Sequence, residues 1–323
     1  MKLSIVATLY QSAPYIEEFC RRAGVTARQL VDGDYEIVLV NDGSSDNSLS
    51  VARQICAQDS RIKVIDLSRN FGHHRAMMCG MKHAIGERVF LIDVDLEELP
   101  ESLGAFWKVM EEDPETDVVV GKLKVKTVPF FKKATSDLFY RAFNALSSVQ
   151  ISDREIVSRL MTRTYVNALA EYVEREIFLP AIWVDAGFRQ KQVYATKSFD
   201  GNSSYTFRKR LMMAVEAITS FSNKPLIYIF YLGLLFSSGS LLFIIYLLMR
   251  KLVVGQVLLG WTSLIAFMFL IGGIIIFSLG VVGIYISKLY LEVKARPHSI
   301  VRKIYQGVGE SGHRLEKPST HVN

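Results

Sequence analysis

The sequence predicts an α/β fold, a mostly parallel sheet covered by helices on both faces, followed by a two-helix membrane hairpin. Three observations carry that expectation. Short β-branched runs alternate with helical apolar spacing through the first third of the chain, the pattern of repeated β-α units. One such run, Leu91-Ile92-Asp93-Val94-Asp95, ends in Asp-x-Asp, so a buried strand delivers two carboxylates to a sheet edge. Finally, Leu226 to Met249 and Leu258 to Ser287 are almost free of charge, and each exceeds the roughly 20 residues that a helix needs to cross a bilayer.

The elements follow in order. Leu3 to Thr8 reads as the first strand and Tyr10 to Pro14 as its loop, and Ile16, Phe19, Cys20 and Ala23 mark a helix that Gly24 is expected to stop. Tyr35 to Val40 is the second strand, Asn41-Asp42-Gly43-Ser44-Ser45-Asp46 a polar turn rich in helix-capping residues, and Val51 to Ala57 its helix. Ile62 to Leu67 is a third strand, leading through Ser68-Arg69-Asn70-Phe71-Gly72 into a helix from Ala76 to Ile85. Arg88 to Asp93 is the fourth strand, followed by a helix from Pro100 to Glu112 and a strand from Asp117 to Gly121. Lys122 to Lys133 is basic and aromatic, which suits a headgroup-facing segment, an active-site loop or an ordinary solvated loop. Thr135 to Ser148 has an apolar helical face, Tyr165 to Val173 reads as a helix and Trp183 to Tyr194 as an extended segment. Gly201 to Tyr205 is a turn, and Phe207 to Phe221 an amphipathic helix for a membrane surface. The polar tail after Gln306 is expected to be disordered.

Half of the 323 residues are hydrophobic, and the net charge is +6. Arg208, Lys209, Arg210 and Lys224 precede the first apolar run and Lys288, Lys294, Arg296, Arg302 and Lys303 follow the second, while only Arg250 and Lys251 lie between. That asymmetry predicts an inner-membrane protein with both ends cytoplasmic and a short loop outside, and no cleavable signal is expected at the N-terminus. The charge is accounted for by a basic collar facing anionic lipid, and no nucleic-acid motif occurs. Three widely spaced cysteines, Cys20, Cys56 and Cys79, fit a reducing compartment and no structural zinc.

At the carboxyl edge of a parallel sheet, where ligands bind, Asp93 and Asp95 suit Mg²⁺ or Mn²⁺, which take few protein ligands and complete their shell from phosphates and water. A solvated acidic turn is the plainer alternative. Asp42 sits at the same edge, able to accept hydrogen bonds from a base or ribose or simply to cap the turn.

Thr8-Leu9-Tyr10, Val40 to Asp46, Ser68 to Gly72 and Asp93 to Glu101 occur in the order seen in family 2 glycosyltransferases of the GT-A fold, which the chain resembles. Arg159-Leu160-Met161, Gly201 to Tyr205, Ser220 to Leu226 and Glu292 to Pro297 extend the resemblance to the polyprenyl-phosphate glycosyltransferases, such as dolichol-phosphate mannose synthases and bactoprenol glucosyltransferases. The resemblance implies a GT-A domain at 1–205, a juxtamembrane helix at 206–224, two membrane helices within 225–287 and a basic cytoplasmic segment at 288–323. It implies donor binding by Thr8, Tyr10, Asp42 and Asp93, metal binding by Asp95 with Asp93, and a catalytic Arg159. Acceptor phosphate falls to Lys197, Ser203 and Tyr205, with Arg208 and Arg210 steering the lipid. The partners implied are a nucleotide-sugar, a polyprenyl phosphate, the membrane and further copies of the chain, a tetramer among the forms.

Three departures stand out. The family often has an Asp two residues before the Arg, where this chain has Val157, so Asp153, ahead of Glu155, is expected to stand in. Glu97-Glu98-Leu99 replaces the commoner Gln-Asp-Pro, and Ser204 replaces a usual Lys. A polyprenyl phosphate is already anionic at neutral pH, so alignment and leaving-group stabilisation would suffice, with inversion at the anomeric carbon. Extension of a lipid-linked oligosaccharide and a catalytically impaired membrane scaffold are the alternatives.

Overall fold

The computed structural model describes residues 1–123, 144, 155–175, 177–195, 224–254 and 260–307. Asp153, Lys197, Ser203, Tyr205, Arg208 and Arg210, together with the expected helices at 135–148 (apart from residue 144) and 207–221 and the tail after 307, lie outside these residues. The chain divides into two compact units, one formed by 1–129, 152–203 and 297–323, the other by 130–151 and 204–296.

The first unit is built on one eight-stranded sheet. Strands β1 (Leu3–Leu9), β2 (Tyr35–Asn41), β3 (Ile62–Leu67) and β4 (Arg88–Leu91) alternate with helices α1 (Ile16–Val31), α2 (Ser48–Gln58) and α3 (His73–His83). After a single 3₁₀ turn (Pro100–Ser102) come α4 (Leu103–Glu112), β5 (Val118–Leu123), β6 (Glu155–Thr162), α5 (Arg163–Ala170), α6 (Leu179–Asp185) and β7 (Gln190–Ala195). The strand order is β7-β5-β6-β4-β1-β2-β3, and β8 (Val301–Gln306) adds to the far edge of β3. The four central strands are mutually parallel, whereas β6 runs antiparallel to both β4 and β5, and β8 antiparallel to β3. The sheet is therefore parallel at its centre and mixed at its flanks.

β1 and β2 are buried along their whole length, as expected for parallel strands covered on both faces. Leu3, Ile5, Ile37 and Phe90 pack with Phe19 and Ala23 of α1 and Phe106 and Met110 of α4. On the other face α3 lies so close that a Cβ at Gly80 would come within 2.5 Å of Val6 and 2.9 Å of Val40.

Four expectations change. Gly24 does not end its helix: α1 continues to Val31, and a Cβ at Gly24 would sit 3.1 Å from the Tyr35 hydroxyl, so this glycine serves a close approach. Trp183 to Tyr194 is not extended throughout, because Pro180 starts a short helix in which Leu179, Ile182 and Trp183 are buried at helical spacing before β7 begins. β6 was not expected; Ser158 and Arg159 interrupt its apolar pattern although both are fully buried. The segment after the second apolar run is also more than a basic collar. There the Ser68 N–H donates to the Ile300 carbonyl, Arg302 donates to the Ser68 carbonyl, and β8 covers an otherwise open strand edge.

In the second unit two helices are described, α7 (Lys224–Val254) and α8 (Trp261–Lys294). Among the described residues, apolar side chains such as Phe230, Leu235, Ile276 and Leu279 are exposed. Among the described residues, one stretch, Leu270–Lys294, is long and apolar enough to cross a membrane.

Candidate active site

The topology makes a crevice before any side chain is considered. From β1 the chain steps outward to β2 and β3, then returns to place β4 on the opposite side of β1. Loops leaving the carboxyl ends of β1 and β4 diverge there, which is where open parallel sheets bind ligands. Leu9 pairs with Asn41 and Val6 with Leu91, so Thr8, Tyr10, Asp42, Asp93 and Asp95 all come to this one edge.

Each side chain has a distinct setting. Tyr10 is 52% exposed, an open aromatic surface beside the crevice. Thr8 is buried, and its Oγ1 lies 3.1 Å from Nδ1 of His73, the first residue of α3. Nε2 of the same ring lies 3.3 Å from Oδ1 of Asp93. His73 thereby spans from β1 to the end of β4. Burial opposes its charged form, but the hydrogen bond and charge of Asp93, with the charges of Asp42 and Asp95, outweigh it and raise the imidazole pKa above its ordinary value.

Asp42 is turned inward. Its Oδ1 accepts the Phe71 N–H at 2.7 Å and its Oδ2 the Gly72 N–H at 3.0 Å, which seats the loop between β3 and α3. Gly43, at φ +64°, lets the two loops touch; a Cβ there would lie 2.4 Å from the Arg69 and Asn70 backbone. Next to it, Asn41 donates to Asp66 at 2.8 Å and accepts the Ser44 N–H at 3.3 Å. Each Asp42 oxygen retains a second lone pair.

Past β4, Leu96 adopts a left-handed conformation at φ 60°, and Oδ1 of Asp95 accepts the Glu97 N–H at 3.0 Å. The turn continues to Glu98, which is buried and accepts the N–H groups of Val157 at 3.3 Å and Ser158 at 2.8 Å. A side chain thus takes over where the β4–β6 backbone pairing ends, and the acidic turn is tied to β6. This gives the Glu98 departure a structural role.

Asp93 and Asp95 fit a small divalent cation. Their carboxylates lie on one turn, Asp93 is partly exposed, and hard oxygen donors in this number are what Mg²⁺ or Mn²⁺ accepts when phosphates complete the shell. Among the described residues no cluster of three or more ligating side chains occurs.

Arg159, the arginine expected to be catalytic, lies within β6. It is fully buried in β6, its guanidinium lies 3.1 Å above the Trp183 ring, and it donates to the carbonyls of Val157 and Ile156. Among the described residues it makes no hydrogen bond to Asp93 or Asp95. Its place is in the packed layer between β6 and α6.

His74 points away from the crevice, packing on Phe178 with Nδ1 3.2 Å from the Ile177 carbonyl, and burial pushes its pKa down to about 4. The unfolded chain therefore takes up that proton first as pH falls. Unfolding free energy of the full chain in detergent is expected to drop by about 3 kcal/mol from this residue between pH 6.5 and 4. His73, with its raised pKa, adds little to this slope, because its contribution is near complete below pH 6.5 and fades only as pH rises through its folded value. His74→Phe should flatten the slope, read from tryptophan fluorescence during denaturation; an unchanged slope would exclude a neutral His74.

Sequence reasoning passed over His73 and Trp183. His73 had one signal, an imidazole directly after the glycine that ends a strand loop; Trp183 had none without β6 as its partner.

The family described as glycosyl transferase family 2 matches residues 4–169, a span holding every described site residue discussed so far except Trp183, Ile177 and Phe178. A Mycobacterium tuberculosis protein named "Putative glycosyltransferases" is 41% identical over 311 residues, covering 94% of this chain and 89% of its own. The uncharacterized glycosyltransferase YkcC of Bacillus subtilis is 34% identical, covering 94% of each chain. The SfII prophage-derived bactoprenol glucosyl transferase of Shigella flexneri is 30% identical, covering 95% of this chain and 99% of its own. With the family matching half the chain and these relatives matching nearly all of it, the chain belongs to glycosyl transferase family 2 and is a glycosyltransferase.

Proposed function

We infer that the protein transfers a sugar from a nucleotide-sugar to a polyprenyl phosphate at the cytoplasmic membrane, with inversion at the anomeric carbon, for cell-envelope glycan synthesis or modification. The observation that carries this reading is the convergence of Thr8, Tyr10, His73, Asp93 and Asp95 on the crevice between β1 and β4, in a chain that also carries one described stretch, Leu270–Lys294, long and apolar enough to cross a membrane. Tyr10 offers a face to the base, Thr8 a hydroxyl to base or ribose, and Asp93 and Asp95 hold Mg²⁺ or Mn²⁺ beside the diphosphate. Asp42 contributes by seating the loop that bounds the donor, with its remaining lone pairs turned to the nucleotide. When bound, the cation neutralises charge on the departing nucleoside diphosphate.

The acceptor supplies its own nucleophile, a phosphate oxygen, so the chain's work is alignment. Arg208 and Arg210 bring the lipid phosphate in, and Lys197, Ser203 and Tyr205 hold it. Asp153 stands in for the acidic residue missing at Val157. Helices α7 and α8, of 31 and 34 residues, are each about 45–50 Å long at 1.5 Å per residue, beyond the roughly 30 Å of a bilayer's hydrocarbon core. We read them as a two-span hairpin with both termini cytoplasmic, in a homo-oligomer. The likeness to the Shigella flexneri bactoprenol glucosyl transferase supports the acceptor class.

A panel of radiolabelled nucleotide-sugars, offered with undecaprenyl phosphate in detergent with and without Mn²⁺, tests this. Label entering the organic phase as an acid-labile lipid with one of the donors is the expected result. Transfer only to a lipid-diphosphate sugar would replace the acceptor assignment with chain extension.

A further inference from the structure

We propose that His73 is a positioning residue of the donor site, fixing the Asp93 carboxylate and the Thr8 hydroxyl relative to one another across the β1/β4 crevice. The proposal rests on the reading of this crevice as the nucleotide-sugar site. Three observations carry it. First, the ring contacts both partners at once, with Nδ1 3.1 Å from Thr8 Oγ1 and Nε2 3.3 Å from Asp93 Oδ1. Second, those partners come from strands on opposite sides of the topological switch and are 85 residues apart (93 − 8). The β1–β4 ladder, which ends at Val6–Leu91 with the Ile92 N–H on the Val6 carbonyl, sets the backbone spacing of the two positions, and the rotamers of their side chains are left for His73 to fix. Third, His73 begins α3, whose Gly80 is packed against Val6 and Val40 and whose entry loop is held by Asp42 through the Phe71 and Gly72 N–H groups. The helix is fixed to the sheet at both ends of this face, so the imidazole is presented from a rigid support.

The chemistry follows from the geometry. A carboxylate only accepts, so Nε2 carries the proton and donates to Oδ1 of Asp93. That contact selects one rotamer of Asp93, commits one oxygen and leaves Oδ2 for a cation or ribose hydroxyl. Nδ1 in turn constrains the Thr8 hydroxyl rotor. A carboxylate ligand of a metal is ordinarily oriented by such an outer partner, and loss of one lowers metal affinity about 10- to 100-fold.

Asn and Gln separate the two contacts, because the amide of Asn reaches roughly the Nδ1 position and that of Gln roughly the Nε2 position. The probes are Mn²⁺ alone, then UDP and GDP with Mn²⁺, titrated into the full chain in detergent and followed by electron paramagnetic resonance and calorimetry, with thermal melting of each variant alongside. His73→Gln is expected to keep Mn²⁺-dependent diphosphate binding within about threefold of wild type, and His73→Asn and His73→Ala to weaken it by roughly 10- to 100-fold at unchanged melting temperature. In turnover with the donor that wild type uses, the loss is expected in KM more than in kcat. Equal binding by wild type and all three variants would overturn the positioning role and leave the donor-site reading intact. Equal weakening by Gln and Ala would also overturn it, since restoring the Asp93 contact would then restore nothing. Absence of diphosphate binding by wild type itself would overturn the donor-site reading and this proposal with it.

Discussion

Asp95→Ala is expected to lower nucleoside diphosphate release by about three orders of magnitude with little change in melting temperature. Stabilising charge on a leaving diphosphate is worth several kcal/mol, and each 1.36 kcal/mol is tenfold in rate. The residue also has a local task, since its Oδ1 accepts the Glu97 N–H and so braces a turn in which Leu96 is left-handed. That conformation costs roughly 1–2 kcal/mol for a residue with a side chain, so the brace and the charge must be separated. Asp95→Asn does this: the amide oxygen still caps Glu97, but the negative charge is gone. Both variants are expected to lose turnover alike, and chelation of divalent cations should reproduce the loss in the wild-type chain. An Asn variant with near wild-type turnover would reassign Asp95 to shaping the turn.

The second large effect is on stability. Arg159→Ala is expected to destabilise the first unit by roughly 3–5 kcal/mol, the upper range for removing a buried charged side chain that packs and hydrogen-bonds through two of its three guanidinium nitrogens. The substitution removes the cation lying on Trp183 and strands the carbonyls of Ile156 and Val157, both now accepting from the guanidinium. It also opens a void between β6 and α6 that neighbouring helices, packed on other elements, do not refill. Burial lowers the Arg159 pKa to about 10, so the group stays charged at neutral pH. Arg159→Met fills the same volume without the charge or donors and is expected to recover about half of the loss. Turnover per folded molecule should then be close to wild type. A well-folded Met variant with turnover reduced a hundredfold or more would show instead that the guanidinium acts on substrate, as the family resemblance implies.

How far the sequence reaches differs between the two sides of this site. The β-α alternation through Asp95 was readable because each central strand is buried on both faces, leaving a continuous apolar run, and each helix on one, leaving a 3.6-residue period. Placing Asp42, Asp93 and Asp95 on one edge needed only that parallel strands end at the same edge, whereas Thr8 and Tyr10 were pointed to by the family resemblance. Arg159 shows where this stops. A lone arginine in the strand Glu155–Thr162 reads as a surface or active-site residue, since nothing in its neighbours announces the Trp183 ring that covers it.

By itself the sequence determined the parallel centre of the sheet, the edge that carries the acidic turn, and the apolar helices, because all three depend on residue types repeating at short range. Only the tertiary structure decided that β6 and β8 complete the sheet antiparallel, that Asp42 spends its carboxylate on the Phe71 and Gly72 amides, and that His73 joins Thr8 to Asp93. Those are contacts between segments far apart in the chain, and their partners are chosen by how the packed elements bring surfaces together, which no local spacing records.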